Sequence, residues 1–317
     1  MRAASLALVL LLPACGPGND AEVPPAPGGA STWSSLSPMP TPRTEVAAAA
    51  ADGRILVAGG FFEDGTTVGT VEIYDIAADR WSAGPDLPIA VNHAMAAASG
   101  DDLYVLGGFT AEGPPTSRAF ALRDGRWEEL PEMPEARGAG GAAVLDGLVY
   151  VVAGVGPEGH ATRTLVFDPT AERWTSVAGV SVPRDHLGVA SAGGRIYAVG
   201  GRTEALVGNL GDSEAYDPTS DAWTALPDLP TPRGGVAAAA TADGIVVTLG
   251  GEEEGGTFDE AEAYDPGGDR WFTLPPMPTA RHGLGAVAVG STIYAVGGGT
   301  EPGLSESGAL EAIEVSA

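Results

Sequence analysis

Six tryptophans divide the chain into segments of nearly equal length. They are Trp33, Trp81, Trp127, Trp174, Trp223 and Trp271. Successive spacings are 48, 46, 47, 49 and 48 residues, and each copy contains four short apolar runs. A repeat of this length is typical of propeller blades, which pack only on their neighbours. The repeat therefore favours one closed domain over the two domains that 317 residues could otherwise form.

Shorter markers recur in register with the tryptophans. Glycine pairs occur at Gly59-Gly60, Gly107-Gly108, Gly200-Gly201, Gly250-Gly251 and Gly297-Gly298, and the remaining copy has Ala153-Gly154. Pro232-Arg233 and Tyr264-Asp265-Pro266 illustrate two more markers. Together they resemble the kelch repeat, over about residues 31–317. The resemblance implies an all-β fold, a six-bladed kelch β-propeller with four-stranded antiparallel blades.

Each blade is expected to contain strands A to D. In the first blade we predict strand A at about 44–51, strand B at 54–60, strand C at 70–75 and strand D around Trp81. Asp52-Gly53 is a strong hairpin signal between A and B. The glycine pairs suit strand ends where backbones approach closely or φ turns positive. The tryptophans, with a Tyr or Phe before the C-to-D turn, are expected to fill the gaps between blades.

The two ends of the repeat region predict how the ring closes. Trp33 is a strand D marker with no strands A to C before it, whereas residues 291–317 supply strands B and C with no Trp after them. The N-terminal strand should therefore complete the sixth blade beside residues 310–315. Such closure removes an exposed sheet edge that would otherwise favour aggregation.

The segment before the repeats has the features of a bacterial export signal. Residues 1–14 carry Arg2 and an apolar run too short to span a bilayer. Leu12-Pro13-Ala14-Cys15 resembles a lipobox, which implies a lipidated Cys15 as the mature N-terminus; the alternative is an ordinary signal peptide with an incidental thiol. Residues 16–30 are rich in Gly, Pro and Ala and predict a flexible tether. Gly16 after the cysteine favours the outer membrane.

The charge of the chain limits its partners. The formal net charge is -26, and all sixteen basic residues are arginine. Nucleic acid and anionic lipid surfaces are poor partners for such a surface, so we expect membrane attachment through the lipid anchor alone. The acidity is spread over loops, which favours solubility, and we expect a monomer. The single cysteine, Cys15, excludes an internal disulfide and any Cys-rich metal site.

The predicted topology sorts the loops between two faces. Antiparallel strands place the D-to-A and B-to-C loops on one face, and the short A-to-B and C-to-D turns on the other. The long, variable loops on the first face are residues 61–69, 109–118, 155–163, 202–212, 252–259 and 299–307. Variable loops on a rigid repeat usually carry binding. We therefore predict that this face binds a protein, peptide or glycan.

Arginines recur at the entrance to strand A. They are Arg43, Arg137, Arg184, Arg233 and Arg281, with Val91 in place of Arg in the second blade. Around a channel mouth they would present guanidinium forks to a carboxylate; alternatively, each fixes its own loop through a neighbouring acid or backbone group. In kelch adaptors that bind acidic peptides, residues at this entrance line the pocket. Further ligand candidates on this face are Arg202, Phe61, Phe62 and Phe109.

Three of the four histidines also fall at this entrance, namely His93, His186 and His282. A three-histidine metal site is conceivable there. However, His93 and His186 lie two residues past the arginine register and His282 only one, which directs it to the opposite side of a strand. We predict no metal site and a solvated His160. The acidic run 252–254 offers oxygen ligands for calcium, but a solvated loop is the favoured interpretation.

Signatures of catalysis are missing from the sequence. It contains no His-Glu-x-x-His, Gly-x-Ser-x-Gly or Walker loop. Galactose oxidase, a kelch-type enzyme, requires a Cys crosslinked to Tyr, which a chain with only Cys15 cannot supply. Sialic-acid mutarotases are similar six-bladed envelope proteins and would require an acid and an Arg, for which Glu45 with Arg43 is one candidate. We predict a tethered binding module without cofactors or catalytic residues, with a carbohydrate mutarotase as the alternative.

Overall fold

The architecture is a closed ring of six antiparallel four-stranded sheets, seen in a computed structural model that describes residues 23–24 and 31–316. The six-bladed β-propeller predicted from the tryptophan spacing is confirmed. The predicted signal peptide, Cys15 and most of the predicted tether lie outside the described residues. In the part of the chain described, no helix is long and apolar enough to cross a membrane.

Blades 1 to 3 follow the order A to D along the chain. Blade 1 contains Ala47–Ala51, Arg54–Ala58, Val71–Asp75 and Arg80–Ala83. Blade 2 contains Met95–Ser99, Asp102–Leu106, Ala119–Arg123 and Arg126–Glu129. Blade 3 contains Gly141–Leu145, Leu148–Val152, Arg163–Asp168 and Arg173–Ala178.

Blades 4 to 6 repeat this arrangement, with one exchange at the end. Blade 4 contains Gly188–Ala192, Arg195–Val199, Ser213–Asp217 and Ala222–Ala225. Blade 5 contains Ala237–Ala240, Val246–Leu249, Ala261–Asp265 and Arg270–Thr273. Blade 6 contains Gly285–Val289, Thr292–Val296 and Leu310–Glu314, and takes Ser34–Ser35 as its strand D.

Short strand pairs extend the D-to-A and B-to-C loops on one face. They are Val91–Asn92 with Phe109–Thr110, Val155–Gly156 with Gly159–His160, and Glu252–Glu253 with Gly256–Thr257. The opposite face carries the tight A-to-B and C-to-D turns. The antiparallel pairing thus confirms that the long loops share one face, as the topology predicted.

The A strands surround the central channel and contact one another around the ring. Small side chains line this channel, including Ala48, Ala97, Ala142, Ala190 and Ala238. Six strands converge here, so larger side chains would not fit. The alanine-rich runs in the sequence are explained by this crowding.

Aromatic side chains fill the gaps between blades, as expected. The ring centroids of Tyr74 and Trp81 are 5.2 Å apart, and those of Tyr264 and Trp271 are 5.3 Å apart. The Trp81 indole also donates a hydrogen bond to the Ser37 carbonyl oxygen at 2.7 Å. Corresponding bonds recur at the other five tryptophans. Each tryptophan therefore anchors its strand D to an adjoining segment of the ring.

The N-terminal strand closes the ring as predicted. Ser34 pairs with Ala312 and Ser35 with Glu311 in an antiparallel ladder. The Trp33 indole donates to the Pro275 carbonyl oxygen at 2.8 Å, and so reaches blade 5. This pairing covers the outer edge of strand C of blade 6, which would otherwise be an exposed sheet edge.

Strands A and B of blade 1 are shorter than the predicted 44–51 and 54–60. Glu45 has a φ of 52°, which interrupts the extended conformation before strand A. Gly59 and Gly60 have φ of 65° and 98° and end strand B. A Cβ on Gly59 would also clash with the Val91 carbonyl oxygen. The glycine pair thus serves both a positive φ and a close backbone approach.

Two residues of the predicted tether contact the propeller. The backbone N–H of Thr273, in strand D of blade 5, donates to the Pro24 carbonyl oxygen at 3.0 Å. Val23 packs against the buried cluster that includes Tyr264 and Trp271. These contacts place Val23 and Pro24 against strand D, at the outer edge of blade 5.

Candidate functional site at the channel mouth

The arginines at the entrance to strand A are buried inside the blades. Arg43, Arg137, Arg184, Arg233 and Arg281 each have 0% of their surface exposed. Four of them pair with a glutamate on strand C of their own blade. The pairs are Arg43 with Glu72, Arg184 with Glu214, Arg233 with Glu262, and Arg281 with Glu311. Arg137 pairs instead with Glu135, at 2.8 Å.

These guanidiniums also hold the end of strand B. The Nε of Arg43 donates to the Gly59 carbonyl oxygen at 2.9 Å, and the Nε of Arg184 donates to that of Gly200 at 2.7 Å. Arg43, Arg184, Arg233 and Arg281 thereby connect the entrance of strand A to strands B and C. Arg137 instead donates to the Arg163 carbonyl oxygen, at the start of strand C. Their geometry fits the architectural alternative, because no guanidinium of this register is directed toward an incoming ligand.

Blade 2 lacks both members of this ion pair. Val91 takes the place of the arginine, and the pairing of Leu122 with Trp127 places Phe120 where other blades have the strand C glutamate. Val91 and Phe120 are 2% and 3% exposed. An apolar pair therefore substitutes for the buried ion pair in this blade, as expected if the pair fills space within the blade.

The residues two positions past the arginine register encircle the mouth of the channel. These residues, here called the mouth belt, are Glu45, His93, Ala139, His186, Gly235 and Gly283, and all have positive φ. Each of the last five donates its backbone N–H to the carbonyl oxygen of the preceding member at 2.8–3.0 Å. Val46 closes the circle by donating to the Gly283 carbonyl oxygen at 3.3 Å.

Side chains of the mouth belt face a small cavity of about 80 Å³. Glu45 lies at its centre: one carboxylate oxygen is 3.3 Å from His93 Nε2, and the other is 3.3 Å from His282 Nδ1. The rings of His93 and His186 meet edge to face with centroids 5.0 Å apart. The mouth therefore gathers three histidines around one carboxylate.

A second group of charges lies beside this centre. Asp185 contacts His186 Nδ1 at 2.5 Å and His160 Nε2 at 2.8 Å. Arg202 lies 3.7 Å from the Asp185 carboxylate and donates to Glu252 at 2.8 Å. His160, predicted to be solvated, is thus half-buried against Asp185, because the B-to-C loop of blade 3 folds back over the mouth.

Glu252 completes the network on the blade 5 side. It is 2% exposed, whereas Glu253 and Glu254 are exposed, so the predicted solvated run is split. Its second oxygen accepts the Gly303 N–H at 2.9 Å and lies 3.5 Å from His282 Nδ1. His282 is buried and faces the same centre as His93, although its offset in register predicted the opposite side.

The pKa values of these groups reflect burial and mutual attraction. Burial alone would raise the pKa of Glu45, but His93, His282 and His186 outweigh it and hold that pKa well below its usual range. Burial lowers the pKa of His93 to about 4 despite the opposing effect of Glu45. For His282 burial is outweighed by Glu45 and Glu252, and the pKa is raised.

Aromatic candidates flank the histidines instead of forming an open apolar rim. Phe61 and Phe109 lie with ring centroids 5.9 and 5.5 Å from His93, and both are half-buried, as is Phe62. The predicted pair of Glu45 with Arg43 does not form, because Arg43 turns into its blade. The acid and arginine that do meet at the mouth are Glu252 and Arg202.

Comparison with known proteins agrees with this geometry. The family model described as "Kelch motif" matches residues 42–88, 183–230 and 237–278, which cover much of blades 1, 4 and 5. The propeller also carries the Arg, Gly-Gly and Trp markers in register. The chain is a kelch-repeat β-propeller.

Relatives of this kelch propeller extend the comparison. Kelch-like protein terF of Aspergillus terreus is 31% identical over 72% of this chain and 54% of its own length. Kelch-like protein 41a of Danio rerio is 26% identical over 54% of this chain and 29% of its own length. The chain thus spans only part of each relative. The solved "Structure of YjhT" shares the fold with a TM-score of 0.74 at 16% identity, covering 86% of this chain and 95% of that one.

The mouth of this kelch propeller includes residues that the sequence analysis did not select. Asp185 was missed, and Glu252 was interpreted as part of a solvated loop. A signal for the buried arginines was present: Glu72-Ile73-Tyr74, Glu214-Ala215-Tyr216 and Glu262-Ala263-Tyr264 place a glutamate two residues before the interblade tyrosine. That recurring Glu-x-Tyr identifies the partners of Arg43, Arg184 and Arg233.

Proposed function

We propose that this protein is a lipid-anchored kelch propeller of the bacterial envelope that binds a protein or peptide on its long-loop face. Kelch propellers are commonly protein-binding modules. The observation that carries the proposal is the placement of exposed apolar side chains. Val207 and Leu304, 65% and 59% exposed, lie in B-to-C loops of this face. Variable loops on a rigid repeat usually carry binding, and these two side chains add apolar contact area to the loops of this face.

The mouth contributes polar recognition to the same face. Glu45, Asp185 and Glu252 supply three carboxylates, with Arg202 and four histidines around them. A peptide that enters the mouth would therefore meet hydrogen-bonding groups of both kinds within a partly desolvated cavity. Such groups give specificity, whereas the apolar loops supply buried area.

Capture from envelope extracts tests the binding face. The double variant V207D/L304D should lose at least about tenfold in retained partner, because charges replace apolar contacts at the interface. Val289, 37% exposed, ends strand A of blade 6 next to the A-to-B turn on the opposite face, and supplies the matched control V289D. Equal losses in both variants, or full retention in V207D/L304D, would contradict the proposal.

The anchor rests on the Leu12-Pro13-Ala14-Cys15 sequence and on the one cysteine in the chain. Metabolic labelling with palmitate should mark the native protein and leave Cys15→Ala unlabelled. Fractionation should then recover the labelled protein with the outer membrane and release the variant from it. Equal labelling of both proteins would remove the anchor from the proposal and leave the binding face untouched.

A carbohydrate mutarotase remains the second candidate, favoured by one observation. Arg202 and Glu252 form a buried pair at 2.8 Å beside the His93 and Glu45 centre. Ring opening of a sugar hemiacetal removes the proton of the anomeric hydroxyl and delivers a proton to the ring oxygen; Glu252 is placed to accept the first, a neighbouring histidine to donate the second, and Arg202 to hold the sugar through hydrogen bonds. NMR of anomer exchange in several aldoses, with Glu252→Gln as control, tests this candidate. Exchange at the buffer rate in all sugars would eliminate it.

A further inference from the structure

We propose that Glu45, His93 and His186 form a binding site for a divalent transition metal ion at the floor of the channel mouth. One ligand atom from each residue lies within 4.8 Å of the other two. The Glu45 oxygen and His93 Nε2 are 3.3 Å apart. This separation matches the edge of a coordination shell in which each donor lies about 2.0–2.2 Å from the ion.

The outward nitrogens of both histidines are held by hydrogen-bond acceptors. His93 Nδ1 lies 2.6 Å from the Asn92 side-chain oxygen, and His186 Nδ1 lies 2.5 Å from the Asp185 carboxylate. An Nδ1–H that donates to these oxygens leaves the Nε2 lone pair of each ring free. Metal-binding histidines are oriented in this way by carboxylate or carbonyl partners.

The acceptors are themselves fixed in place. The Asn92 amide nitrogen donates to Thr67 Oγ1 at 2.7 Å, which sets the direction of its oxygen toward His93. Asp185 is bound by His160 and lies beside Arg202. The mouth belt fixes the backbones of the ligands through its circle of hydrogen bonds. The site is therefore preorganised, as metal sites require.

The donor set specifies the class of ion. Two imidazoles and one carboxylate suit Zn²⁺, Fe²⁺, Co²⁺ or Ni²⁺, and they leave coordination positions open toward the loop face. Calcium and magnesium prefer oxygen ligands alone. This grouping differs from the three-histidine set considered from the sequence, because Glu45 replaces the third histidine.

A neighbouring trio, Glu45, Glu252 and His282, also places its donor atoms within 4.8 Å. However, Glu252 already accepts hydrogen bonds from Arg202 at 2.8 Å and from the Gly303 N–H at 2.9 Å. A metal there would have to displace these bonds. The trio with His93 and His186 requires no such loss and is the favoured position.

Titration of the whole chelator-treated protein with ZnCl₂ tests the proposal, with the visible spectrum of bound Co²⁺ as a second readout. We expect one ion per chain and a loss of more than about 100-fold in affinity in His93→Gln and His186→Gln, since each removes a ligand. Asp185→Asn keeps all three ligands but weakens the hydrogen bond that orients His186, and should lose about 10–100-fold.

The matched controls are Glu252→Gln, which alters the neighbouring trio, and Glu253→Gln, which changes the exposed acid beside it; neither residue forms a hydrogen bond or ion pair with His93, His186 or Glu45, and both variants should stay within about tenfold of the native affinity. Thermal melts without metal establish that each variant is folded. Native affinity in His93→Gln and His186→Gln, or loss confined to the two controls, would overturn the proposal. The lack of saturable binding in the native protein would overturn it as well.

Discussion

Two sets of charged residues lie within a few residues of one another at the entrance to strand A, and they differ in almost every other respect. The buried arginines recur in five blades, and four pair with a glutamate that is also repeated. The mouth residues do not follow the repeat: Glu45, His93 and His186 occupy belt positions where the other three blades have Ala or Gly. Repetition thus separates residues that build a blade from residues that give this propeller its own chemistry.

The contrast extends to how the charges are balanced. Each buried arginine has a partner within its own blade, so the cost of removing it from water is offset locally. The mouth network instead crosses between blades: from Glu45 of blade 1 it runs through His93 and His186, and then through Asp185 and Arg202 to Glu252. Substitutions of the buried arginines or their glutamates should therefore lower stability, whereas substitutions of the mouth residues should weaken binding.

Removal of residues 31–37 should have the largest effect on stability, because it deletes Trp33, one of the six repeated tryptophans, together with the closing strand. Loss of this half-buried aromatic together with the strand pairing costs about 3–5 kcal/mol, so the melting temperature should fall by on the order of 10 °C. The exposed control Ser35→Ala should change the free energy of unfolding by less than about 0.5 kcal/mol. An unchanged melt would refute the closure.

Arg233→Met should lower the free energy of unfolding by about 3–5 kcal/mol, because Glu262 is left buried and unpaired. Denaturant unfolding measures the change, and Arg195→Met, at an exposed pair 3.6 Å from Asp217, should cost less than about 1 kcal/mol. The double variant R233M/E262L should recover much of the loss, as blade 2 does with Val91 and Phe120. If Arg233→Met changed the free energy of unfolding only slightly, Arg233 would resemble the mouth residues, and the distinction between the two sets would fail.

The buried arginine–glutamate pairs should also make the free energy of unfolding depend on pH, and Glu214 provides the test. Burial would raise the pKa of Glu214, but hydrogen bonds from Arg184 and Ser181 outweigh it and lower the pKa. Its contribution is therefore present above the unfolded pKa of about 4.3 and lost as pH falls through the lower folded value. Unfolding curves at successive pH values below about 4.3 should show this loss, with a shallower dependence in Glu214→Gln. Glu204→Gln, on an exposed loop, should keep the native dependence.

His93→Gln, measured in chelator, should have the smallest effect on stability. Its ring contacts Glu45, Phe61 and Phe109 but bridges no strands, so the free energy of unfolding should change by less than about 1 kcal/mol. Thermal and denaturant melts measure the change. A loss as large as that of Arg233→Met would erase the distinction between the two sets.

The fold was predictable because its signals are local and repeated. Trp33 and Trp271 fix the period, and the glycine pairs mark strand ends where only a positive φ fits. The mouth was harder to predict, because its contacts depend on loop conformation. His160 reaches Asp185 only since its loop folds back over the mouth, and Glu252 is buried although it begins a run of three acids. The inward direction of the arginines was less evident, since Arg43 and Glu72 lie 29 residues apart and only the recurring Glu-x-Tyr connects them.

The closed circle of backbone hydrogen bonds at the mouth has a consequence for how such proteins can diverge. Main-chain atoms alone form the circle, so the aperture keeps its diameter whichever side chains project from it. Ala139 and Gly235 already demonstrate that an inert residue is tolerated at these points. The propeller thus holds six positions on one fixed frame, but they are not independent: a Cβ at Gly283 would lie 2.5 Å from the Glu45 carboxylate oxygen, so a side chain there requires Glu45 to change with it.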